Sequence, residues 1–194
     1  MKVALHMFVI LTLIATLSGG LLSAWNDVTA PRIAEHRLRD LKAAISEVLP
    51  PYDEYEEITA GKFTMYVGKK KGDESPVGIA LRVIGSGFQG KISIMAGVSP
   101  DFTTLTGMKV LEQIETPGLG TKIVVDPSKE TDQFWFPAQF KGKKLVPGIT
   151  AIKNKKPSND SEIQAISGAT ISSKAVVDIL NKEMTKARKL YRER

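Results

Sequence analysis

Cysteine is absent from this sequence, and histidine occurs only twice, at His6 and His36. The lack of cysteine excludes disulfides, cysteine-ligated metal clusters and thiol catalysis. Two histidines near the N-terminus do not build a histidine metal site, so no metal ligand is predicted. The chain of 194 residues is 42% hydrophobic and 25% charged, which is typical of globular material with one main domain.

Charge is also missing from one long stretch, because residues 3–25 contain no Asp, Glu, Lys or Arg. A hydrocarbon core of about 30 Å is crossed by about 20 helical residues, so this stretch is long enough to span a membrane. A cleaved signal peptide is the rival interpretation, but its apolar core would be shorter and no clean small-x-small site follows. The sequence therefore predicts an uncleaved anchor in membrane lipid over residues 1–27, with Trp25 at the water interface.

The net charge of +6 comes from Lys and Arg residues that are scattered among acidic ones. The sequence contains no arginine-rich helix or interleaved aromatic platform, so no nucleic-acid partner is predicted. Only Lys2 precedes the apolar stretch, whereas Arg32, Arg37, Arg39 and Lys42 follow it. Taken alone, the positive-inside rule would place the bulk of the chain in the cytoplasm.

The spacing of apolar residues and the positions of proline and glycine predict the elements that follow the anchor. Residues 28–51 form a predicted helical stalk, with a helix that begins at Pro31 and stops at Pro50. Strands are predicted at residues 62–68, 77–84, 92–98, 108–114 and 149–152, the first two as a hairpin. An amphipathic helix is predicted from about Ile171 to the C-terminus. The predicted fold class is α+β, with a transmembrane helix and stalk followed by one mixed domain over residues 52–194.

A glycine-rich link, GSGFQG, joins two of the predicted strands and invites comparison with a nucleotide-binding loop. The dinucleotide fingerprint needs a helix N-terminus directly after its glycines. Here Gly85, Gly87 and Gly90 are followed by another strand. The sequence therefore predicts no dinucleotide fold at this link.

A run of small residues, Ser167-Gly168-Ala169-Thr170, stands directly before the last predicted helix. One interpretation is a plain helix cap, because Ser and Thr commonly occupy helix starts. The other is an anion site, since a helix N-terminus favours a negative group by about 0.3–1 kcal/mol, and by up to roughly 2 when partly buried. A phosphate would fit beside Thr170, where Gly168 and Ala169 leave space.

The segments ETPGLG and SGATISSKAVVDIL, together with the GFQGKISIMAGV pattern, resemble the FMN-binding domain of the Rnf-complex G subunit. The same resemblance extends to the C subunit of sodium-translocating NADH:quinone reductase and covers most of the chain. It implies FMN bound covalently to Thr170 through a phosphoester bond, which a flavin transferase installs from FAD. Gln164 stands where members of this family commonly carry Asp. The other cofactor-binding residues implied by the resemblance are Ser167, Gly168, Ala169, Glu115, Thr116, Gly118 and Leu119.

This resemblance also implies a function. The chain would be an electron-carrying subunit of a membrane-bound complex that links ferredoxin and NAD to sodium or proton movement. Other subunits of that complex would be its partners, and no turnover is expected from the chain alone. The implied location is a single pass through the bacterial cytoplasmic (inner) membrane with the flavin domain on the extracytoplasmic side, which is opposite to the charge count.

The residues show no acid, base or nucleophile constellation, so no catalytic residue is predicted, which agrees with an electron relay. Two alternatives stay open. One is the FMN domain of an extracytoplasmic reductase that converts a small substrate. The other is a non-redox, membrane-anchored binding module in which Thr170 only caps a helix.

Overall fold

The computed structural model describes residues 2–193 of the chain. It divides into two compact units, one that ends at Lys42 and one that begins at Ala43. A helix, α1 (Lys2–Val48), makes up the first unit, and its last residues belong to the second. All of the other elements lie in the second unit, which contains the core.

Among the described residues, α1 is the one helix that is long and apolar enough to cross a membrane. Pro31 lies inside this helix, so the prediction of a separate helix that begins at Pro31 is wrong. A proline in a helix interior removes one backbone hydrogen bond and costs about 3 kcal/mol. The helix continues here because strong helix formers, mainly Ala, Leu, Arg and Glu, surround the proline. The division into an anchor over residues 1–27 and a stalk over 28–51 stays a prediction.

The second unit is built on an antiparallel sheet whose strands follow one another in chain order. These strands are β1 (Glu54–Ala60), β2 (Phe63–Lys70), β3 (Asp73–Ser86), β4 (Lys91–Val98) and β5 (Leu105–Gln113). The structure confirms the predicted β2–β3 hairpin and the two strands after it, with somewhat different bounds. The β2–β3 turn is shorter than expected, since only Lys71 and Gly72 separate the two strands and Gly72 takes a φ of +83°.

The first strand, β1, was absent from the sequence-based prediction. Its sequence, EYEEITA, directs only Ile58 and Ala60 into the core, and the exposed positions include Glu54, Glu56 and Glu57. A strand with so few apolar residues shows little of the alternation on which a prediction depends. It forms an edge of the sheet and pairs with β2 alone.

One face of the sheet is covered by the long C-terminal helix, α3 (Thr170–Arg192). Ile79, Leu81 and Val83 of β3 are fully buried and alternate along the strand toward this helix. Gly85 continues the same row, and a Cβ added there would lie 2.3 Å from Cγ1 of Ile179. The predicted apolar stripe of α3 is confirmed as buried at Val176, Val177, Leu180, Met184 and Ala187. Each large apolar side chain buried in this way contributes about 1.5–3 kcal/mol.

The last turn of α1 packs within the second unit on the opposite side of the sheet. Ala44, Ile45 and Val48 are buried there. A Cβ added to Gly97 of β4 would stand 2.1 Å from the carbonyl oxygen of Val48. The hydroxyl of Thr106 donates a hydrogen bond of 2.5 Å to the same oxygen. Strand and helix backbone therefore approach each other directly.

Short elements connect β5 to α3 and complete the unit. They are a 3-10 helix (Gly120–Ile123), α2 (Trp135–Ala138) and a parallel pair, β6 (Thr150–Ile152) and β7 (Glu162–Gln164). The strand predicted at 149–152 is thus confirmed, whereas β7 is three residues long and was not predicted. The α+β class, with an apolar N-terminal helix followed by one mixed domain, is confirmed.

Candidate functional site

The candidate site begins at the N-terminus of α3, where Thr170 is the first helical residue. Ala169 occupies the N-cap position, and no side chain caps the helix. Among the hydrogen bonds of the described residues, none is donated by the backbone N–H groups of Thr170, Ile171 or Ser172. Open N–H groups of this kind, together with the helix dipole, form an arrangement that binds anions. Thr170 lies within the helix, so its position differs from that of a capping residue.

The backbone just before Thr170 is held by Ser173, which is fully buried. Its hydroxyl donates to the carbonyl of Ala169 at 2.9 Å and accepts from the N–H of Ile166 at 3.0 Å. Gly168 takes a φ of +83°, a conformation that favours glycine. These contacts fix the turn that leads into α3 and thereby the position of the Thr170 side chain.

A cleft of about 290 Å³ opens beside Thr170. It is lined by Phe88, Thr116, Lys153, residues 119–120 and residues 168–172. Segments that are far apart in sequence therefore meet at the start of α3. The volume lies near the lower end of the range for small-molecule sites, about 300–1,000 Å³. A flavin nucleotide would consequently be covered in part and would keep the rest of its surface exposed.

Apolar side chains stand exposed on the walls of this cleft. Phe88 is 57% exposed, Leu119 is 47% exposed and Ile171 is 59% exposed. Exposed apolar clusters of this kind commonly mark binding sites. With the open helix N-terminus and Lys153 next to them, they suit a ligand that has a flat apolar part and an anionic part.

The ETPGLG segment forms a tight turn that runs into the 3-10 helix. The carbonyl of Thr116 accepts hydrogen bonds of 3.2 Å from the N–H groups of both Leu119 and Thr121. Gly118 takes a φ of +73°, and its N–H donates to the Thr121 hydroxyl at 3.0 Å. Thr116 and Leu119 line the cleft, whereas Gly118 lies at the exposed tip of the turn and does not.

Glu115 lies behind the cleft wall and is only 4% exposed. Its Oε1 accepts hydrogen bonds from the backbone N–H groups of Phe88, at 2.9 Å, and Gln89, at 3.1 Å. Its Oε2 accepts a hydrogen bond from the hydroxyl of Ser172 in the first turn of α3. The carboxylate is therefore bonded to protein groups on two sides of the cleft.

Ser167 faces a second, larger cleft of about 700 Å³, whose lining includes Gln164 and Asp126. Asp126 is 3% exposed and accepts hydrogen bonds from Ser128, Trp135 and Lys122. Burial raises the pKa of Asp126, but the hydrogen bonds from these three partners outweigh it and lower the pKa to about 2. The structure thus places Gly168, Ala169 and Thr170 in the same cleft as the ETPGLG turn, whereas Ser167 lines the second cleft.

Several cleft residues were not singled out as site residues from the sequence. They are Phe88, Gly120, Lys153, Ile171 and Ser172. Ile171 and Ser172 stand in the first turn of the predicted helix, so the sequence did indicate that they lie near the site. No sequence pattern indicated Lys153, because it belongs to a run of lysines that solvation explains. The fold after β6 brings it to the cleft.

Comparisons with known proteins agree with this arrangement. Residues 87–184 match the FMN-binding domain family. The G subunit of the ion-translocating oxidoreductase complex of Methanosarcina acetivorans is 29% identical and aligns over 89% of this chain and 88% of its own length. The G subunit of the Na(+)-translocating ferredoxin:NAD(+) oxidoreductase complex of Acetobacterium woodii is 30% identical, over 93% and 89%. The G subunit of the Escherichia coli K12 ion-translocating oxidoreductase complex is 32% identical, over 89% and 85%.

Solved structures show the same fold. The C subunit of the Na(+)-translocating NADH-quinone reductase from Parabacteroides distasonis superposes with a TM-score of 0.52 at 29% identity. That match covers 66% of this chain and 62% of the reductase protein, so it spans less than two thirds of the latter. NqrC from Shewanella oneidensis superposes with a TM-score of 0.53 at 21% identity, over 75% and 73%.

The fold and the cleft define a small α+β domain with an open cleft at a helix N-terminus, and a long apolar helix precedes this domain in the sequence. The chain belongs to the FMN-binding domain family. The relatives named above, which align over most of their length, are G subunits of ion-translocating oxidoreductase complexes. The resemblance found in the sequence is therefore confirmed. The residues at the cleft fit the cofactor of this family, since an open helix N-terminus suits its phosphate and the apolar side chains suit its ring system.

Proposed function

We propose that this chain carries FMN on Thr170 through a phosphoester bond and passes electrons within an ion-translocating oxidoreductase complex. One observation carries the proposal: Thr170 lines the cleft at the start of α3, together with three N–H groups for which no partner is found among the described residues. These groups and Lys153 would offset the charge of a phosphate. A flavin transferase would form the bond with FAD as the donor: the Thr170 oxygen would bond to the FMN phosphorus, the pyrophosphate bond of FAD would break, and AMP and a proton would be released.

The neighbouring walls have a role in this proposal. Phe88, Leu119 and Ile171 would contact the ring system, and the Thr116 turn would hold one side of it. FMN supplies one- and two-electron chemistry, while the protein positions the ring and adjusts its potential. Among the described residues that line the cleft, Lys153 is the only one with a charged side chain. This lining favours an electron relay over a reductase that must deliver protons to a substrate.

The assembly and location follow the relatives. The Acetobacterium woodii relative is named as a subunit of a Na(+)-translocating ferredoxin:NAD(+) oxidoreductase complex, and we infer the same Rnf-type role for this chain. Other subunits of the complex would donate and accept the electrons. We further propose that α1 anchors the chain in the bacterial cytoplasmic membrane and that the flavin domain lies on the extracytoplasmic side. A covalent bond would retain FMN where free flavin is not supplied.

Thr170→Val tests the proposal directly. The variant and the native chain are each produced together with an active flavin transferase, and intact mass and in-gel flavin fluorescence are measured. The native chain should gain the mass of one FMN phosphoester and fluoresce after denaturation, whereas the variant should do neither. Thr185→Val, on an exposed position of the same helix, is the matched control and should keep the modification. An unmodified native chain, or FMN on another residue, would contradict the assignment.

A further inference from the structure

Three segments of the cleft are joined by one buried side chain, that of Glu115. The Oε1 atom bonds to the loop between β3 and β4 through the N–H groups of Phe88 and Gln89. The Oε2 atom bonds to Ser172 in the first turn of α3. Glu115 itself begins the ETPGLG turn. Each of these segments also contributes side chains to the cleft, namely Phe88, Leu119 and Ile171.

Glycines make room for this carboxylate. A Cβ added to Gly87 would lie 2.3 Å from Oε1 of Glu115, far inside van der Waals contact. A Cβ added to Gly120 would lie 2.8 Å from Cβ of Glu115 and 3.0 Å from both its Oε2 and Oγ of Ser172. Gly87 of the GSGFQG link and Gly120 of the ETPGLG turn thus leave the space that the Glu115 side chain occupies. This contact explains a glycine in the GSGFQG link without nucleotide binding.

The cost of this arrangement points to a role beyond stability. A buried carboxylate is expensive unless it is paired or fully hydrogen-bonded. No ion pair within the described part of the chain includes Glu115. Its hydrogen bonds go instead to two backbone N–H groups and one hydroxyl, all of them in segments that form the cleft. An apolar residue could fill the same space, but it would join none of these segments and would leave their donors without this acceptor.

We propose that Glu115 is a positioning residue that holds the Phe88 loop, the ETPGLG turn and the start of α3 in one arrangement around the flavin ring. The carboxylate acts from behind the cleft wall, through the groups that it binds. This inference rests on the proposed function, because it takes the cleft beside Thr170 as the place of the FMN ring. Without Glu115, the Phe88 loop would separate from α3 and the ring would become more accessible to water.

The test uses the full chain produced with an active flavin transferase, and only preparations with one FMN per chain by intact mass are compared. Iodide quenching of flavin fluorescence and the midpoint potential are measured for Glu115→Ala, Glu115→Gln and Ser172→Ala. Glu115→Ala should raise the quenching constant at least about twofold and shift the potential, because it removes three hydrogen bonds at once. Ser172→Ala should change both in the same direction and by less. Glu115→Gln should stay near the native values, since its amide oxygen still accepts from the two N–H groups and its amino group can donate to the Ser172 hydroxyl.

Glu183→Gln is the matched control at a second buried carboxylate. Glu183 is 5% exposed, pairs with Lys62 and Lys186, and lies about 20 Å along α3 from Thr170 at 1.5 Å per residue. Glu183→Gln should lower the free energy of unfolding without changing the iodide quenching constant or the flavin midpoint potential. Native quenching in Glu115→Ala, or an equal increase in Glu183→Gln, would overturn the positioning role. If Glu115→Ala does not fold or take up FMN, Ser172→Ala decides, and native values there also overturn it. A native chain without FMN would instead refute the proposed function.

Discussion

Asp126 shows how a single buried carboxylate organises a stretch with little regular structure. It follows the 3-10 helix and accepts hydrogen bonds from the hydroxyl of Ser128 at 2.6 Å and from the indole N–H of Trp135 at 3.1 Å. The ammonium group of Lys122 lies 3.2 Å away. The loop before α2 is thereby tied to the 3-10 helix, one side of which borders the cleft.

Replacing Asp126 by Asn should lower stability in a pH-dependent way. Because the folded pKa is about 2 and the ordinary value is 3.8, the native carboxylate stabilises the fold above about pH 4 and loses this contribution as the pH falls toward 2. Asp126→Asn should therefore unfold more easily at pH 7, by about 1–3 kcal/mol, and the difference from the native chain should shrink between pH 4 and pH 2. Urea unfolding followed by circular dichroism at several pH values measures both effects.

Asp178→Asn provides the comparison for this prediction, because Asp178 is exposed on α3. It should leave the pH dependence of unfolding as in the native chain. A difference between Asp126→Asn and the native chain that stays constant from pH 7 to pH 2 would contradict the role given to the ionised Asp126 side chain.

At this same scale, the sequence predicted part of the candidate site. Thr170 and its small neighbours were recognisable because a helix start and a known motif coincide there. Thr116 and Leu119 were expected at the ring and do line the cleft beside Thr170. The burial of Glu115 and the arrival of Lys153 could not be predicted, because both depend on how separate loops pack and not on local spacing.

At the scale of elements, the last turn of α1 approaches the backbone of the β4–β5 pair. Gly97 of β4 lies against the Val48 carbonyl, and Gly107 of β5 would place a Cβ only 3.0 Å from Cα of Val48. Thr106 adds a hydrogen bond to the same carbonyl. Two glycines and one hydroxyl therefore let a helix end rest on strand backbone.

Gly97→Ala should separate this helix end from the sheet. An added methyl would stand 2.1 Å from a backbone oxygen, and backbone atoms cannot move aside as a side chain can. Overpacking of this kind costs about 1–3 kcal/mol, and we expect the upper part of that range. Urea titration of Gly97→Ala and of the native chain measures this loss as the difference between their free energies of unfolding.

Gly90→Ala serves as the control for this substitution. Its added Cβ would lie 3.1 Å from Cβ of Ile114 and 3.4 Å from the Ile114 carbonyl oxygen, so a shift of a few tenths of an ångström at this exposed residue would accommodate it. A loss of stability at Gly90 equal to that at Gly97 would contradict the explanation by backbone contact.

The elements themselves were predictable where their pattern was strong. The buried strands β3 and β4 and the amphipathic α3 were found from the sequence because long apolar runs or helical spacing mark them. The acidic β1 and the three-residue β7 were not, since neither carries enough alternation. At Pro31 the local rule for helix starts was outweighed by the helix-forming residues around it.

For the molecule as a whole, α1 belongs to both units, because its exposed part ends with the first unit and its buried last turn lies in the second. Ile45 and Val48 in that turn are almost completely buried. A chain that begins at Ala43 should thus keep the full stability of the second unit. A chain that begins at Leu49 should lose about 3 kcal/mol or more of unfolding free energy, because it lacks both side chains.

Chemical denaturation of the two shortened chains, each followed by circular dichroism, compares them directly. Equal unfolding free energies would show that the last turn of α1 contributes nothing to the core. Both chains lack most of the apolar helix, so the comparison depends only on residues 43–48.

The acidic β1 strand has a consequence for behaviour at high concentration. An edge strand offers unpaired backbone groups to any other strand, and proteins protect such edges with charge. Glu54, Glu56 and Glu57 give this edge three carboxylates. Copies of the domain that meet edge to edge would bring these carboxylates together, so the strand protects the protein against strand-mediated polymerisation.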